Sequence, residues 1–402
     1  MKNLYLLAIA VFLFSNTTFG QNADKPIYKH AELHGAISVV KDKYIPDKRI
    51  KIFDIEVDDH AKEPTLKGIT SDAEAYKALM EEAKIRSGKF INKVELLPAK
   101  DLGDKTFGVI NLSVADIRTE GKFSAEMATQ SILGTPVRVL QEDGWYRIQT
   151  PDGYIGWTQL SSFTLMTQEE VTIWNKTEKV VFTDYFGFSY QAPDKNSQHV
   201  SDLVLSNMLK LEGDENEFYK VSYPDGRKAY VLKEQCMLYR DWRKSKKVTG
   251  ESFVKEAYKL MGIPYVWGGT SVKGMDCSGL TKTVLFMHGI ILMRDASQQA
   301  YTGTPVDISK GYDNLQVGDL MFFGKKAQGD KKERVRHVAF YVGDKKFIHA
   351  SGCIRISSLD PQNPDYDEVN TKEFIRAIRV TGAVDKLNSN IWSIEGNSSY
   401  KQ

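Results

Sequence analysis

Part of this chain is written twice. Trp145-Tyr146-Arg147-Ile148 returns 73 residues later as Phe218-Tyr219-Lys220-Val221, and Pro151-Asp152-Gly153 returns as Pro224-Asp225-Gly226. Each copy joins an aromatic-basic-aliphatic run to a Pro-Asp-Gly turn signal and continues into an aromatic residue, Trp157 or Tyr230. Short β-rich runs around such a turn specify a hairpin. Runs at 109–112, 136–140, 145–149 and 154–157, with Asp143-Gly144 as a further turn, predict a small all-β barrel, and the repeat predicts a second one behind it. Most of the aromatic rings belong to the cores of these barrels.

The flanking regions read differently. Residues 25–105 mix polar loops with one predicted helix, 71–87, in which Tyr76, Leu79, Met80 and Ala83 share a face between Ser71 as N-cap and Gly88 as stop. No chemistry is read in that stretch. The basic run 240–247 reads as a solvated linker. Beyond it, predicted helices at 252–261 and 278–288 precede predicted strands at 319–323, 338–342 and 347–350. Helices followed by an antiparallel sheet is an α+β order.

A chain of 402 residues is too long for one compact core. With 54 Lys+Arg against 52 Asp+Glu it has no overall field to attract nucleic acid or anionic lipid. Lys2, the apolar run 4–14 and the exit Thr18-Phe19-Gly20 have the form of a secretory signal; the run is too short to span a bilayer. The expected protein is therefore exported, periplasmic or secreted, and has no integral membrane span after signal removal.

Three cysteines, Cys236, Cys277 and Cys353, cannot form a disulfide framework. Cys277 stands apart, in Gly274-Met275-Asp276-Cys277-Ser278-Gly279-Leu280 at the start of a predicted helix. A helix N-terminus favours the nucleophilic thiolate, and its free N–H groups can stabilise an oxyanion. Such a nucleophile needs a base. His337 and His349 lie on two strands joined by the turn Gly343-Asp344-Lys345-Lys346; whether they share a face depends on register, which the sequence leaves open. His288, before Gly289, reads as a capping or surface residue. The close ligand pairs of a zinc site are absent, so no metal or cofactor is expected.

Pro264-Tyr265-x-Trp267-Gly268-Gly269, Asp276-Cys277-Ser278-Gly279-Leu280, Arg294-Asp295-x-x-x-Gln299, Gly318-Asp319-Leu320-x-Phe322-Phe323, His337-Val338 and Ile348-His349-Ala350 occur in that order. Together they resemble the NlpC-type papain-like cell-wall peptidases over about residues 253–380. The repeated modules resemble the bacterial SH3-like domains of cell-wall enzymes. The resemblance implies a multidomain protein with two small all-β SH3-like barrels followed by an α+β papain-like catalytic domain. The expected layout is signal peptide 1–20, an α/β segment 21–105 packed with the first module, SH3-like domains 106–168 and 169–242, peptidase domain 243–385 and tail 386–402.

The resemblance also implies roles: Cys277 as nucleophile, His337 as base and then acid, His349 as its orienter and Tyr265 on the oxyanion side. The arrangement is similar to a narrower subgroup, the YkfC-like dipeptidyl peptidases, in which the first SH3-like module walls off the cleft and helps bind the substrate's ammonium. That likeness implies Asp276, Ser278, Asp295 and Ala296 as substrate-binding residues of the peptidase domain, with Glu126 and Tyr154 from the module and Glu120 and Tyr146 as competitors. The implied partner is a murein tripeptide or tetrapeptide with free L-Ala, cleaved by a monomer after γ-D-Glu. The alternative enzyme is an endopeptidase on intact peptidoglycan that uses the modules to hold the wall. A non-catalytic wall-binding protein is a third reading, at odds with the filled triad.

Overall fold

The computed structural model describes residues 29–401, and the signal segment 1–20 lies outside the described residues. At the N-terminal end, Phe53–Val57 runs antiparallel to Thr65–Thr70, and Ile91–Leu96 runs parallel to it. A parallel neighbour requires a crossover, which the helix Ala73–Ser87 supplies. Together with the helix Ala31–Tyr44 it buries Leu33, Ala36, Val40, Leu79 and Ala83 around Leu66. Asp72, rather than the expected Ser71, is the N-cap: its carboxylate accepts from Ala75 N at 2.8 Å, while Ser71 Oγ accepts from Ile52 N at 2.9 Å. The shorter, charged acceptor takes the cap because the Ser71 hydroxyl is committed to tying the helix entry to the sheet.

The sequence repeat is a repeat of topology. The first seven-stranded sheet has the order Phe163–Met166, Phe107–Ile110, Pro136–Glu142, Tyr146–Gln149, Ile155–Thr158, Val114–Arg118, Met127–Ile132. The second sheet, between Lys179 and Leu238, repeats it strand for strand when read from the opposite edge. The two hairpins close on Gln149 opposite Ile155 and Ser222 opposite Lys228. In both turns the glycine of Pro-Asp-Gly, Gly153 or Gly226, sits at φ 85°, a left-handed conformation that side chains disfavour.

The C-terminal domain is a six-stranded antiparallel sheet in the order Thr304–Val306, Phe374–Arg379, Leu320–Lys325, Arg334–Gly343, Lys346–Ser351, Cys353–Ser358. Leu280, Val284 and Leu285 of the helix Cys277–Met287 are fully buried in one cluster with Phe322, Val338, Phe340 and Ile348 of the sheet. Each such side chain contributes about 1.5–3 kcal/mol of burial, which seats the helix firmly on the sheet. His288 caps this helix, its Nδ1 bonded to Val284 O at 2.8 Å, and it is buried rather than on the surface.

The basic run 240–247 is not simply a solvated linker. Tyr239–Ser245 is a helix whose Trp242 is buried, and Arg243 bonds Glu395 at 2.6 and 2.9 Å and His288 O at 3.1 Å. One aromatic within a charged run suffices to anchor it, and the partner carboxylate comes from a segment 152 residues away. The end of the chain is docked as well: Trp392–Ser393 pairs with Ile290–Ile291, and Asn397 Nδ2 donates to Pro151 O at 2.8 Å.

The first module is held on two sides. Ile52, Leu97 and Ala99 of the N-terminal segment cluster with its Leu140. Toward the C-terminal domain, Thr270 N donates to Gln130 Oε1 at 3.1 Å, and Lys282 pairs with the buried Asp152 of the Pro-Asp-Gly turn. The equivalent Asp225 of the second turn pairs with Arg227 two residues on, so the same motif holds the C-terminal domain in one copy and a neighbouring arginine in the other.

Candidate active site

Asp276 caps the helix that begins at Cys277, accepting from Gly279 N at 2.7 Å. Its oxygens also accept from Gly268 N at 3.0 Å, Ser278 Oγ at 3.2 Å and the Arg294 guanidinium at 3.2 and 2.6 Å. A carboxylate has about four lone-pair sites, so Asp276 has none to spare for a substrate amine. It lines the cleft, and its carboxylate is engaged in fixing the first turn of the helix. Ser278 is similarly engaged, its hydroxyl accepting from Arg294 Nη1 at 2.9 Å.

The register question is answered by the strand pair Arg334–Gly343 and Lys346–Ser351, where Phe340 faces Ile348. His337 is three residues from Phe340 and His349 one from Ile348, so both rings fall on the face opposite that pair. His337 Nε2 lies 2.8 Å from His349 Nδ1, and His349 Nε2 lies 3.1 Å from Ser357 Oγ. Ser357, absent from the sequence reading, ends this buried chain of polar groups. The chain is consistent with one set of tautomers, in which each ring donates from Nε2 and His337 keeps Nδ1 as an acceptor.

Burial dominates the ionisation of these groups. It pushes the Cys277 thiol up to about 12, aided by the Asp276 charge and opposed by the N–H groups of Val338 and Ser278 and by Arg294. The His337 ring is pushed down to about 3 by burial and by the neighbouring His349 and Arg336. Burial thus works against the thiolate that the helix N-terminus favours, and it favours the neutral form of the imidazole. Tyr265, whose phenol is pushed up by burial and by the nearby Cys277, keeps its proton and remains a hydrogen-bond donor.

A cavity of about 330 Å³ brings Cys277 and Tyr265 together with Glu126, Tyr154, Asp276, Ser278, Asp295 and Ala296. Two elements of the first module reach it. Glu126 Oε1 accepts from Trp267 Nε1 at 2.5 Å, and Tyr154 OH donates to Asp295 Oδ2 at 3.2 Å. Of the competitors, Glu120 pairs with Lys122 on the surface and Tyr146 packs edge-on against Phe163 in the module core. Neither lines the cavity, and among the described residues that line it none comes from the second module.

The cavity also contains residues that sequence reasoning missed. Arg49, from the stretch read as having no chemistry, donates from Nη1 to Asp295 Oδ2 at 2.7 Å. No local pattern marks it, because its partner lies 246 residues away. Cys236 and Cys353 stand outside the site; Cys236 is held protonated by burial, and Cys353 bridges Pro264 through its backbone. Among the described residues no group of three or more His, Cys, Asp or Glu is disposed to hold a metal ion, and no helix is long and apolar enough to cross a membrane.

Comparison with known proteins agrees with this geometry. Residues 262–375 match the NlpC/P60 family, and residues 117–163 match the bacterial dipeptidyl-peptidase SH3 domain. A Bacillus cereus protein named gamma-D-glutamyl-L-lysine dipeptidyl-peptidase is 31% identical over 253 residues, 60% of this chain and 73% of that protein. Dipeptidyl-peptidase 6 of Lysinibacillus sphaericus is 27% identical over 270 residues, 64% of this chain and 93% of that protein. The crystal structure of an NlpC/P60 family protein from Bacillus cereus superimposes with a TM-score of 0.56 at 26% identity, covering 68% of this chain and 99% of that one. With a cysteine at a helix start, a bonded histidine pair on the sheet that this helix packs against, and an SH3-like module upstream, this chain belongs to the NlpC/P60 family of cysteine peptidases.

Proposed function

We propose that the chain hydrolyses the bond between γ-D-Glu and the L-diamino acid, L-Lys or meso-diaminopimelate, of murein peptides with a free N-terminal L-Ala. The product released is L-Ala-γ-D-Glu, in wall turnover or recycling. The observation that carries this reading is that Glu126 and Tyr154 of the first module and Asp295 line the same cavity as Cys277. Carboxylates lining the cleft suit an ammonium, and an acylated amine would offer them neither its charge nor its three donors. The names of the Bacillus and Lysinibacillus relatives point the same way. The second module, which contributes nothing to the cavity, braces the first through Arg227 Nη2 to Asn111 O at 3.0 Å.

In the proposed reaction the Cys277 Sγ attacks the γ-carbonyl carbon of D-Glu as its proton passes to His337. The helix N–H groups and the Tyr265 hydroxyl stabilise the oxyanion. His337 then returns the proton to the departing diamino-acid amine, leaving a thioester. Water, deprotonated by His337, cleaves the thioester and restores the thiol. His349, held by Ser357, keeps His337 in the tautomer that accepts at Nδ1. Asp276 and Ser278 shape the nucleophile turn, while Asp295, Ala296, Glu126 and Tyr154 receive the L-Ala end. The protein is proposed to act outside the cytoplasm as a monomer.

The test compares L-Ala-γ-D-Glu-L-Lys with its N-acetylated form. The expected result is cleavage of the free tripeptide, near-complete loss on acetylation and no turnover by Cys277→Ala. Equal cleavage of both peptides, together with release of fragments from intact peptidoglycan, would instead establish the endopeptidase.

A further inference from the structure

We propose that Asp47 and Arg49 are positioning residues for amine recognition, so that selectivity for a free N-terminus depends on the segment preceding both β-modules. The inference rests on the dipeptidyl-peptidase reading above and extends it to a part of the chain outside both matched stretches, 117–163 and 262–375.

The main chain of this segment is pinned to the two strands of the hairpin that carries Tyr154. Arg49 O accepts from Ile155 N at 2.7 Å, and Ile50 O accepts from Gln149 Nε2 at 3.1 Å. From that anchor the Arg49 side chain reaches in two directions. Nε and Nη2 donate to the two oxygens of Asp47 at 2.8 and 2.7 Å; Nη1 donates to Asp295 Oδ2 at 2.7 Å and Ser297 Oγ at 2.8 Å. Asp47 Oδ2 also accepts from Gln298 Nε2 at 2.8 Å. The pair therefore grips three side chains, Asp295, Ser297 and Gln298, in and just before the helix Ala296–Gln299.

That helix has four residues, far too few to hold its own shape, so its position comes from tertiary contacts. On its inner side Gln299 is fully buried and bonds Thr281 Oγ1 at 2.7 Å. On its outer side the Asp47–Arg49 pair supplies the grip. Arg49 could instead compete with the substrate's ammonium for Asp295. Geometry favours the clamp, because four guanidinium N–H bonds are already made in a rigid fork and Tyr154 OH shares the same Asp295 oxygen.

The experiment measures kcat and KM of wild type, Arg49→Ala, Arg49→Lys and Ser297→Ala on the free and N-acetylated tripeptides, with thermal unfolding as a folding control. Arg49→Ala is expected to raise KM for the free tripeptide about tenfold, leave kcat within about threefold and shrink the preference over the acetylated peptide. Arg49→Lys recovers only part of this, since one ammonium cannot bond Asp47, Asp295 and Ser297 together. Ser297→Ala, which removes one bond only, raises KM about two- to threefold and carries the test if Arg49→Ala does not fold. An unchanged or lowered KM in folded Arg49→Ala or Ser297→Ala overturns the clamp, as does a fall in kcat at constant KM. A wild type that cleaves both peptides equally overturns the amine-recognition reading itself, and the clamp with it; wild-type discrimination with unaltered variants overturns the clamp alone.

Discussion

Replacing Arg294 by methionine should expose how the nucleophile helix is held. Arg294 is only 1% exposed; it donates twice to Asp276, at 3.2 and 2.6 Å, once to Ser278 Oγ and, through Nε, to Thr129 Oγ1 of the first module at 2.9 Å. Without it, Asp276 keeps the N–H groups of Gly268 and Gly279 and the Ser278 hydroxyl but loses its ion-pair partner. Breaking a buried ion pair from one side costs about 3–5 kcal/mol. For a domain of this size each kcal/mol moves the unfolding midpoint by about 2–4 °C, so the transition of the C-terminal domain should fall by roughly 6–20 °C. Asp276→Asn should cost a similar amount, since it strands the guanidinium instead. The double substitution buries no charge and should be more stable than either single, which requires a coupling larger than the cost of one substitution, more than about 3 kcal/mol. Scanning calorimetry on the four proteins measures the cycle. A midpoint for Arg294→Met within about 2 °C of wild type, or a double variant no more stable than the poorer single, would refute the reasoning.

Two further outcomes follow from the site. His337 and His349 are held neutral by burial, down to about 3 and about 4, against an unfolded value of about 6.5. Above pH 6.5 both states are neutral and the rings contribute nothing; between about 4 and 6.5 the unfolded chain binds protons that the folded one does not, so stability should fall as pH falls. Thermal unfolding of wild type and His349→Asn across that range checks this, and equal slopes would contradict it; the same shift should carry the acid limb of kcat/KM below 6.5. At the mouth of the cleft, Gly268 has φ 80° and a Cβ there would lie 2.2 Å from Met127 O, so Gly268→Ala should push the Glu126 wall outward. The expected result is destabilisation of about 1–3 kcal/mol and a reduced preference for the free-amine peptide, read by denaturation and paired cleavage assays. An unchanged preference would detach that wall from recognition.

The tandem modules were legible because turn chemistry and alternation are local: Pro-Asp-Gly with a left-handed glycine closes a hairpin wherever it occurs. The nucleophile helix was legible for the same reason, since Asp276, Cys277 and Gly279 complete a cap within four residues. The helix Ala31–Tyr44 and the sheet beside it passed unread, because their patterns are weak and their burial comes from one another. The identity of the helix cap, Asp72 over Ser71, turned on a bond to Ile52 nineteen residues away.

The amino-acid sequence by itself determined which chemistry this protein carries: a cysteine at a helix start, two histidines on adjoining strands, and β-modules ahead of them. Tertiary structure alone decided that the histidines share a face, that Cys277 is buried, that Asp276 is spent on Arg294, and that Arg49 meets Asp295. The division has one physical cause. Caps, turns and strand alternation depend on neighbours within a few residues, whereas register, desolvation and long-range charge pairing exist only once distant segments are packed together.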